Sequence, residues 1–182
     1  MRGAPGGAAV CRRHILLVGL SGAGKTTVGR LAAAALGGPF IDLDAAIEQR
    51  AGKSVRRIFA EDGEPAFRAH EAACARHVLA GPAAVLAAGG GYFGREANRS
   101  LAHAAGLVVY LSVGIDAAAS RVAGGDDRPM VDGTDPAARL RELLERREKG
   151  FLEADHAVAT DGRTPETVAD EVASLARRHG GW

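Results

Sequence analysis

The sequence predicts an α/β protein built on a parallel sheet with helices on both faces, and three observations carry that expectation. Five short apolar runs alternate with stretches of helical period. The first run ends in a glycine-rich turn that opens directly onto a helix. The length of 182 residues suits one hydrophobic core rather than two.

The elements follow in order. His14–Val18 (HILLV) reads as a buried strand, and the Ala/Leu-rich stretch Lys25–Leu36 as the helix after the glycine turn. Phe40 and Ile41 form a short second strand ending in Asp42, with a helix over 45–50. Ser54 caps a further helix, and 64–80 is a longer one. Residues 83–88 (AAVLAA) make a third strand running into Gly89, Gly90 and Gly91, and 107–111 (LVVYL) a fourth. Asp135 and Pro136 supply an N-cap and a first-turn proline for a helix to about Glu153, and Thr164 and Pro165 open the last helix likewise. Between them, 156–160 reads as the fifth strand. Such sheets are doubly wound by right-handed crossovers and bind ligands beyond the carboxyl ends of their strands.

Composition narrows the function. Basic residues number 23 and acidic 22, a formal charge of +1, so no global field favours a nucleic acid or an anionic membrane. No apolar run is long enough to span a bilayer. Cys11 and Cys74 match neither a disulfide framework nor a metal spacing, which fits a reducing cytoplasm, and the six histidines are scattered. Residues 1–13 lack the apolar core of a secretory signal and read as a frayed leader to a single domain over 14–182.

The strongest motif is Gly19-Leu20-Ser21-Gly22-Ala23-Gly24-Lys25-Thr26, which fits G-x-x-x-x-G-K-[ST] between a strand and a helix. Its glycines let backbone N–H groups curl around phosphate oxygens, Lys25 adds a point charge, and Thr26 can ligate Mg²⁺. Only three lysines occur among 182 residues, so the chance expectation of this match is about 0.004. By contrast, a triple glycine alone proves little in a chain with 25 glycines. Its position after a buried strand is what allows a close approach of backbone to ligand, a tight turn being the plainer reading.

Neither the third nor the fourth strand ends in an acid, so the metal-holding carboxylate falls to Asp42 and Asp44. They point the same way if the strand continues past Asp42, one serving Mg²⁺ and the other an acceptor hydroxyl. Asp44 can equally cap the following helix. Glu64, Arg68 and Glu71 share one helical face, either as a solvated ion-pair face or as carboxylates that fix Arg68 for bidentate capture of an anion. Phe59 and Phe67 are the nearby apolar residues. Arg128, beside Pro129 in the aperiodic stretch 124–133, can close over a transferring phosphoryl group. No Ser/His/Asp constellation is present, and phosphoryl transfer needs none.

In this order the motifs GLSGAGKTT, FIDLD, IFAEDGEPAFRAHE, AAGGG, an arginine pair in a short lid and an arginine-bearing helix resemble the shikimate kinase family from about His14 to Arg177. The resemblance implies a five-stranded, nucleoside-monophosphate-kinase-like P-loop fold with a lid over about 122–133. It implies transfer of the γ-phosphoryl of MgATP to the 3-hydroxyl of shikimate. Gly22, Ala23, Gly24, Lys25, Thr26 and Thr27 would hold ATP, Thr26 and Asp42 the Mg²⁺, and Arg121 would lie against adenine. Asp44 would bind the acceptor hydroxyl and act as base, while Arg68, held by Glu71, and Arg147 would clamp its carboxylate. Gly89, Gly90 and Gly91 would bind the acceptor through backbone amides, Phe59 and Phe67 would line its apolar face, and Arg128 would reach the phosphoryl. The partners implied are ATP and shikimate, with no nucleic acid or membrane, for a monomer in the cytoplasm.

Two positions depart from the family pattern. Phe151 stands four residues after Arg147 where tyrosine is common, and Tyr92 and Phe93 follow the triple glycine where a small residue is usual. Both departures are expected near the acceptor pocket. They keep open a kinase of the same build for gluconate, quinate, aminoshikimate or a cyclitol. A nucleoside-monophosphate kinase would need more arginines for its phosphate acceptor, and an ATP-binding module without turnover would not need Asp42, Asp44, Arg68, Arg128 and Arg147.

Overall fold

The computed structural model describes residues 12–123 and 135–182. Five parallel strands, β1 (His14–Val18), β2 (Phe40–Asp42), β3 (Val85–Ala87), β4 (Gly106–Ser112) and β5 (His156–Ala159), lie in the order β2-β3-β1-β4-β5. The central strand β1 is buried along its whole length, with Leu16 in register with Leu86 of β3 and Val108 of β4. That is why it reads as an unbroken apolar run rather than an alternating one.

The helices are α1 (Lys25–Leu36), α2 (Leu43–Ala51), α3 (Val55–Glu61), α4 (Gly63–Leu79), α5 (Glu96–Ala105), α6 (Ile115–Ala123), α7 (Pro136–Phe151) and α8 (Pro165–His179). α1 packs along α8, α4 against α2 and α3, and α6 against α7. None of the described helices is long and apolar enough to cross a membrane. The chain leaving β1 travels toward β2, whereas the chain leaving β3 crosses to β4. Because these connections diverge, a crevice opens beyond the carboxyl ends of the adjacent strands β1 and β3.

The expected elements are present with adjusted ends. β3 is three residues long rather than six, and α7 stops at Phe151. A 3-10 turn at Tyr92–Gly94 follows the triple glycine. The reading of Asp44 as a cap, and of a strand continuing through it, is corrected. α2 begins at Leu43, and Asp42 is its N-cap, its side chain accepting from the N–H groups of Asp44 and Ala45. Asp42 keeps extended backbone while the next residues turn helical, so its carboxylate reaches the first-turn donors that Asp44, already inside the helix, does not.

The last residues close the base of the sheet. The Arg13 N–H donates to the Gly180 carbonyl at 2.9 Å, and the Trp182 indole donates to the Arg13 carbonyl at 2.8 Å. Arg12 and Arg13 of the expected leader are thus described, while residues 1–11, Cys11 among them, lie outside the described residues. Cys74 is buried and free. His14 is buried with Nδ1 accepting from the Ala84 N–H, and burial lowers its pKa, which suits an imidazole kept neutral for that bond.

Candidate active site

The loop after β1 is shaped by contacts that exclude side chains. Gly22 has φ +82°, and a Cβ there would stand 2.6 Å from the Ala118 carbonyl oxygen of α6. The Lys25 ammonium, buried at the start of α1, donates to the Gly19 and Leu20 carbonyls at 2.9 and 2.8 Å. The N-cap of α1 is Gly24, and no side chain caps the helix. The first-turn N–H groups, including those of Thr26 and Thr27, therefore remain for an anion, with the positive end of the helix behind them.

Thr26 and Asp42 meet: the Thr26 hydroxyl donates to Asp42 Oδ2 at 2.7 Å, while Asp42 Oδ1 is committed to capping α2. This pair of hard oxygen donors beside a phosphate loop fits Mg²⁺, which takes one or two protein oxygens and leaves its other positions to water and phosphate. Among the described residues no cluster of three or more His, Cys, Asp or Glu offers a denser metal site.

The triple glycine faces three different functional groups. A Cβ at Gly89 would lie 2.7 Å from Asp44 Oδ1, one at Gly90 would lie 3.4 Å from Ser21 Oγ and 3.7 Å from Arg147 Nη1, and one at Gly91 would lie 3.0 Å from both terminal nitrogens of Arg68. None of the three has positive φ. The segment does make a tight turn, the Tyr92 N–H donating to the Gly89 carbonyl at 3.0 Å, but without positive φ that turn does not demand glycine. Close approach does so at Gly89 and Gly91, whereas a Cβ at Gly90 would make only ordinary contacts. Gly89→Ala is expected to displace Asp44 and lower turnover about 10²-fold while leaving the KM for nucleotide within twofold; steady-state kinetics with both substrates varied checks this, and unchanged turnover would contradict it.

Arg68 is fixed on both sides. Its Nε and Nη2 donate to Glu64 Oε1 at 3.1 and 3.0 Å, and its Nη1 donates to both oxygens of Glu71 at 3.2 and 3.1 Å. Its side chain is 12% exposed, between a Glu64 that is 62% exposed and a Glu71 that is 2% exposed. Burial opposes the Arg68 charge, yet the two glutamates hold its pKa above the ordinary value. Burial pushes the Glu71 carboxyl up against the pull of Arg68. The guanidinium lies 5.2 Å from the centre of the Phe67 ring, which packs on Phe59 with centroids 4.6 Å apart. Of the two readings of this face, the fixed arginine is what the geometry describes.

Arg147 of α7 donates to the Gly90 carbonyl at 3.0 Å. No carboxylate pairs with it among the described residues. Burial lowers its pKa, and the charges of Arg68 and Arg139 lower it further. An anion between Arg68 and Arg147 would relieve that repulsion.

These groups share one cavity of about 400 Å³, in the range of small-ligand sites. Lys25, Thr26, Asp42, Arg68 and Arg147 all line it, with Asp44 beside Gly89, Arg68 beside Gly91, and Phe59 and Phe67 completing the wall. Gly22, Ala23, Gly24 and Thr27 are not on its surface. Arg121 is also outside it and donates to the Gly22 carbonyl at 3.1 Å and to Thr160 Oγ1 at 3.3 Å, tying the loop to the end of β5. Arg128 and lid residues 124–133 lie outside the described residues.

Tyr92 and Phe151, expected near the pocket, do not line it, although Tyr92 directly follows Gly91 of the lining. Tyr92, Phe93 and Phe151 are each 1% exposed, and none lines the cavity. Phe151 stacks on Tyr110 with centroids 5.1 Å apart, and the Asn98 amide donates to the Tyr92 carbonyl, so both aromatics are drawn into the core around α5 and α7.

A family model described as shikimate kinase matches residues 21–177. The chain belongs to the shikimate kinase family. It is 43% identical over 175 residues to a shikimate kinase of Ruegeria pomeroyi, covering 95% of this chain and 90% of the relative. A solved shikimate kinase from Acinetobacter baumannii, in complex with shikimate, superposes with a TM-score of 0.88 at 34% identity over 93% of this chain and 95% of that one. A gluconokinase from Sinorhizobium meliloti superposes at 0.61 with 21% identity over 93% and 94%, a likeness of fold.

Within this shikimate kinase fold, sequence reasoning left several cavity residues unassigned: Ser21, Glu48, Ser54, Val55 and Arg56. Glu48 follows Asp44 by one helical turn, a spacing that puts both on one face of α2. Its Oε1 accepts from the Val55 N–H at 2.8 Å and so anchors α3 to the cavity. Ser21 occupies a free position of the phosphate motif. Arg56 carries no motif signal at all.

Proposed function

We propose that this chain is an ATP-dependent shikimate kinase that phosphorylates the 3-hydroxyl of shikimate. One observation carries the reading: the triple glycine sets the backbone against Asp44, Arg147 and Arg68 in the same cavity that holds Lys25 and Thr26. A ligand with a carboxylate at one end and a hydroxyl at the other fits between the arginine pair and Asp44.

In this reading Lys25 and the first-turn N–H groups of α1 hold the β- and γ-phosphates, and Thr26 and Asp42 hold Mg²⁺. The metal, when bound, neutralises charge on the phosphates. Arg68 and Arg147 grip the acceptor carboxylate, and Asp44 accepts the proton of the 3-hydroxyl as its oxygen bonds to the γ-phosphorus. The bond from that phosphorus to the bridging oxygen breaks, and ADP leaves with the electron pair. Arg128 serves the transferring phosphoryl from the lid and Arg121 the adenine. The protein works as a cytoplasmic monomer without nucleic-acid or membrane partners, in keeping with its net charge of +1.

The burial of Tyr92 and Phe151 away from the cavity removes the reason for preferring another acceptor. Coupled ADP release over shikimate, quinate, gluconate and aminoshikimate tests this. The expected kcat/KM for shikimate exceeds the others by at least about tenfold, as a site built to pair acceptor polar groups discriminates strongly; an equal or higher value for another acceptor overturns it.

A further inference from the structure

The phosphate motif leaves four positions open, and the structure uses them differently. Leu20 and Ala23 are buried in the core, and Gly22 is pressed against the Ala118 carbonyl. Ser21 is half-buried and, alone of the four, lines the cavity, together with Lys25, Thr26 and Asp44. It is also where the phosphate loop meets the triple glycine: a Cβ at Gly90 would lie 3.4 Å from Ser21 Oγ and 3.6 Å from the Ser21 nitrogen. On its other flank the Lys25 ammonium donates at 2.8 Å to the Leu20 carbonyl, the peptide oxygen just before Ser21. Beyond Gly90, a Cβ at Gly89 would lie 2.7 Å from Asp44 Oδ1. Contacts thus link Ser21 on one side to the lysine of the phosphate loop and on the other, through two glycines, to the carboxylate proposed to take the acceptor's proton.

We propose that Ser21 is a further catalytic residue, whose Oγ–H donates a hydrogen bond to a non-bridging oxygen of the phosphoryl group as it passes from nucleotide to acceptor. In that passage the charge spreads over the three equatorial oxygens, and donors aimed at them speed transfer more than they tighten substrate binding. The other hydroxyl of the motif that lines the cavity, Thr26, donates to Asp42 at 2.7 Å, whereas no group among the described residues engages the Ser21 hydroxyl. A neutral donor suits this place. It adds no cation to a cavity in which the charge of Arg68 already lowers the pKa of Arg147. Ser21 moves no proton: the acceptor's proton goes to Asp44, and the hydrogen bond from Oγ is returned to water when the product leaves.

The inference rests on the proposed phosphoryl transfer, and its test separates the two. Ser21→Ala removes one oxygen from the cavity wall. Expected is a kcat for shikimate phosphorylation about 30-fold lower, the loss of one hydrogen bond to a charged group, with the KM for ATP and for shikimate within twofold. Calorimetry gives a readout that needs no acceptor. MgADP with tetrafluoroaluminate, a mimic of the phosphoryl group in transfer, is expected to bind Ser21→Ala about tenfold more weakly than wild type, while MgADP alone binds both alike. An unchanged kcat, a KM for ATP that rises as far as kcat falls, or equal affinity of the two proteins for the tetrafluoroaluminate complex overturns the proposal. So does a wild-type protein that binds that complex no more tightly than MgADP. The calorimetric comparison is read whether or not the wild-type protein turns over shikimate. Absence of wild-type turnover with the calorimetric difference intact therefore overturns the function and leaves Ser21 standing as a phosphoryl contact.

Discussion

Lys25→Ala is expected to lower kcat by about 10³-fold and to raise the KM for ATP, with the fold retained. The residue is 7% exposed and its ammonium is held by the Gly19 and Leu20 carbonyls, so its charge is delivered to the phosphates without reorganisation. Removing it leaves two carbonyls short of a donor, a cost of about 1–3 kcal/mol that a domain of this size withstands. Steady-state kinetics beside far-ultraviolet circular dichroism checks this. A variant that unfolds would make the loop lysine chiefly structural, and one that keeps turnover would remove Lys25 from the mechanism.

The second large effect belongs to Arg68. Arg68→Ala leaves the inner carboxylate of Glu71, 2% exposed, without its counter-charge. Losing one partner of a buried pair costs about 3–5 kcal/mol, a fall of about 10 °C in Tm for a chain of this length. Shikimate-dependent turnover is lost as well, since one of the two guanidinium groups proposed to hold the acceptor carboxylate is gone. Adding Glu71→Gln removes the stranded charge and is expected to restore most of the stability and none of the turnover. The deficit also depends on pH in a defined direction. Burial holds the folded-state pKa of Glu71 above its unfolded value, so between those two values the folded protein binds more protons and stability falls as pH rises. In Arg68→Ala that window extends upward, and the stability gap to wild type narrows as pH falls. A gap that widens toward acid would contradict this account of Glu71.

The phosphate loop was legible because its chemistry demands a local pattern. A strand, a turn that only glycine can make and a helix N-terminus must follow one another in the chain, and they do from His14 to Thr26. The roles of Asp42 and Asp44 were legible only in outline. Strand alternation put both on one side, whereas the cap at Asp42 ends the strand and splits their work. Asp42 turns to Thr26, and Asp44 meets Gly89 from the first turn of α2. Which residue caps depends on where two N–H groups point, and the residue types alone do not decide that between two aspartates.

Tyr92 and Phe151 were legible only to within their neighbourhood. Departure from the family pattern placed them near the acceptor pocket, and what it left open is that both side chains are buried in the core and off the cavity surface. That placement is a tertiary fact. The purpose of Gly89 and Gly91 was likewise hidden, since space for Asp44 and Arg68 is a property of elements distant in the chain. Arg56 and Val55 border the cavity because α3 is docked through Glu48, a contact with no counterpart in local pattern.

The central claim is that one cavity seats both the phosphoryl donor and an acceptor bearing a carboxylate and a hydroxyl. Following ADP release and the phosphorus spectrum together, with MgATP in the presence and absence of shikimate, tests it most directly. The account predicts one shikimate 3-phosphate per ADP and negligible ADP without shikimate. ADP formed at the same rate without shikimate, or with no phosphate ester on it, would contradict it.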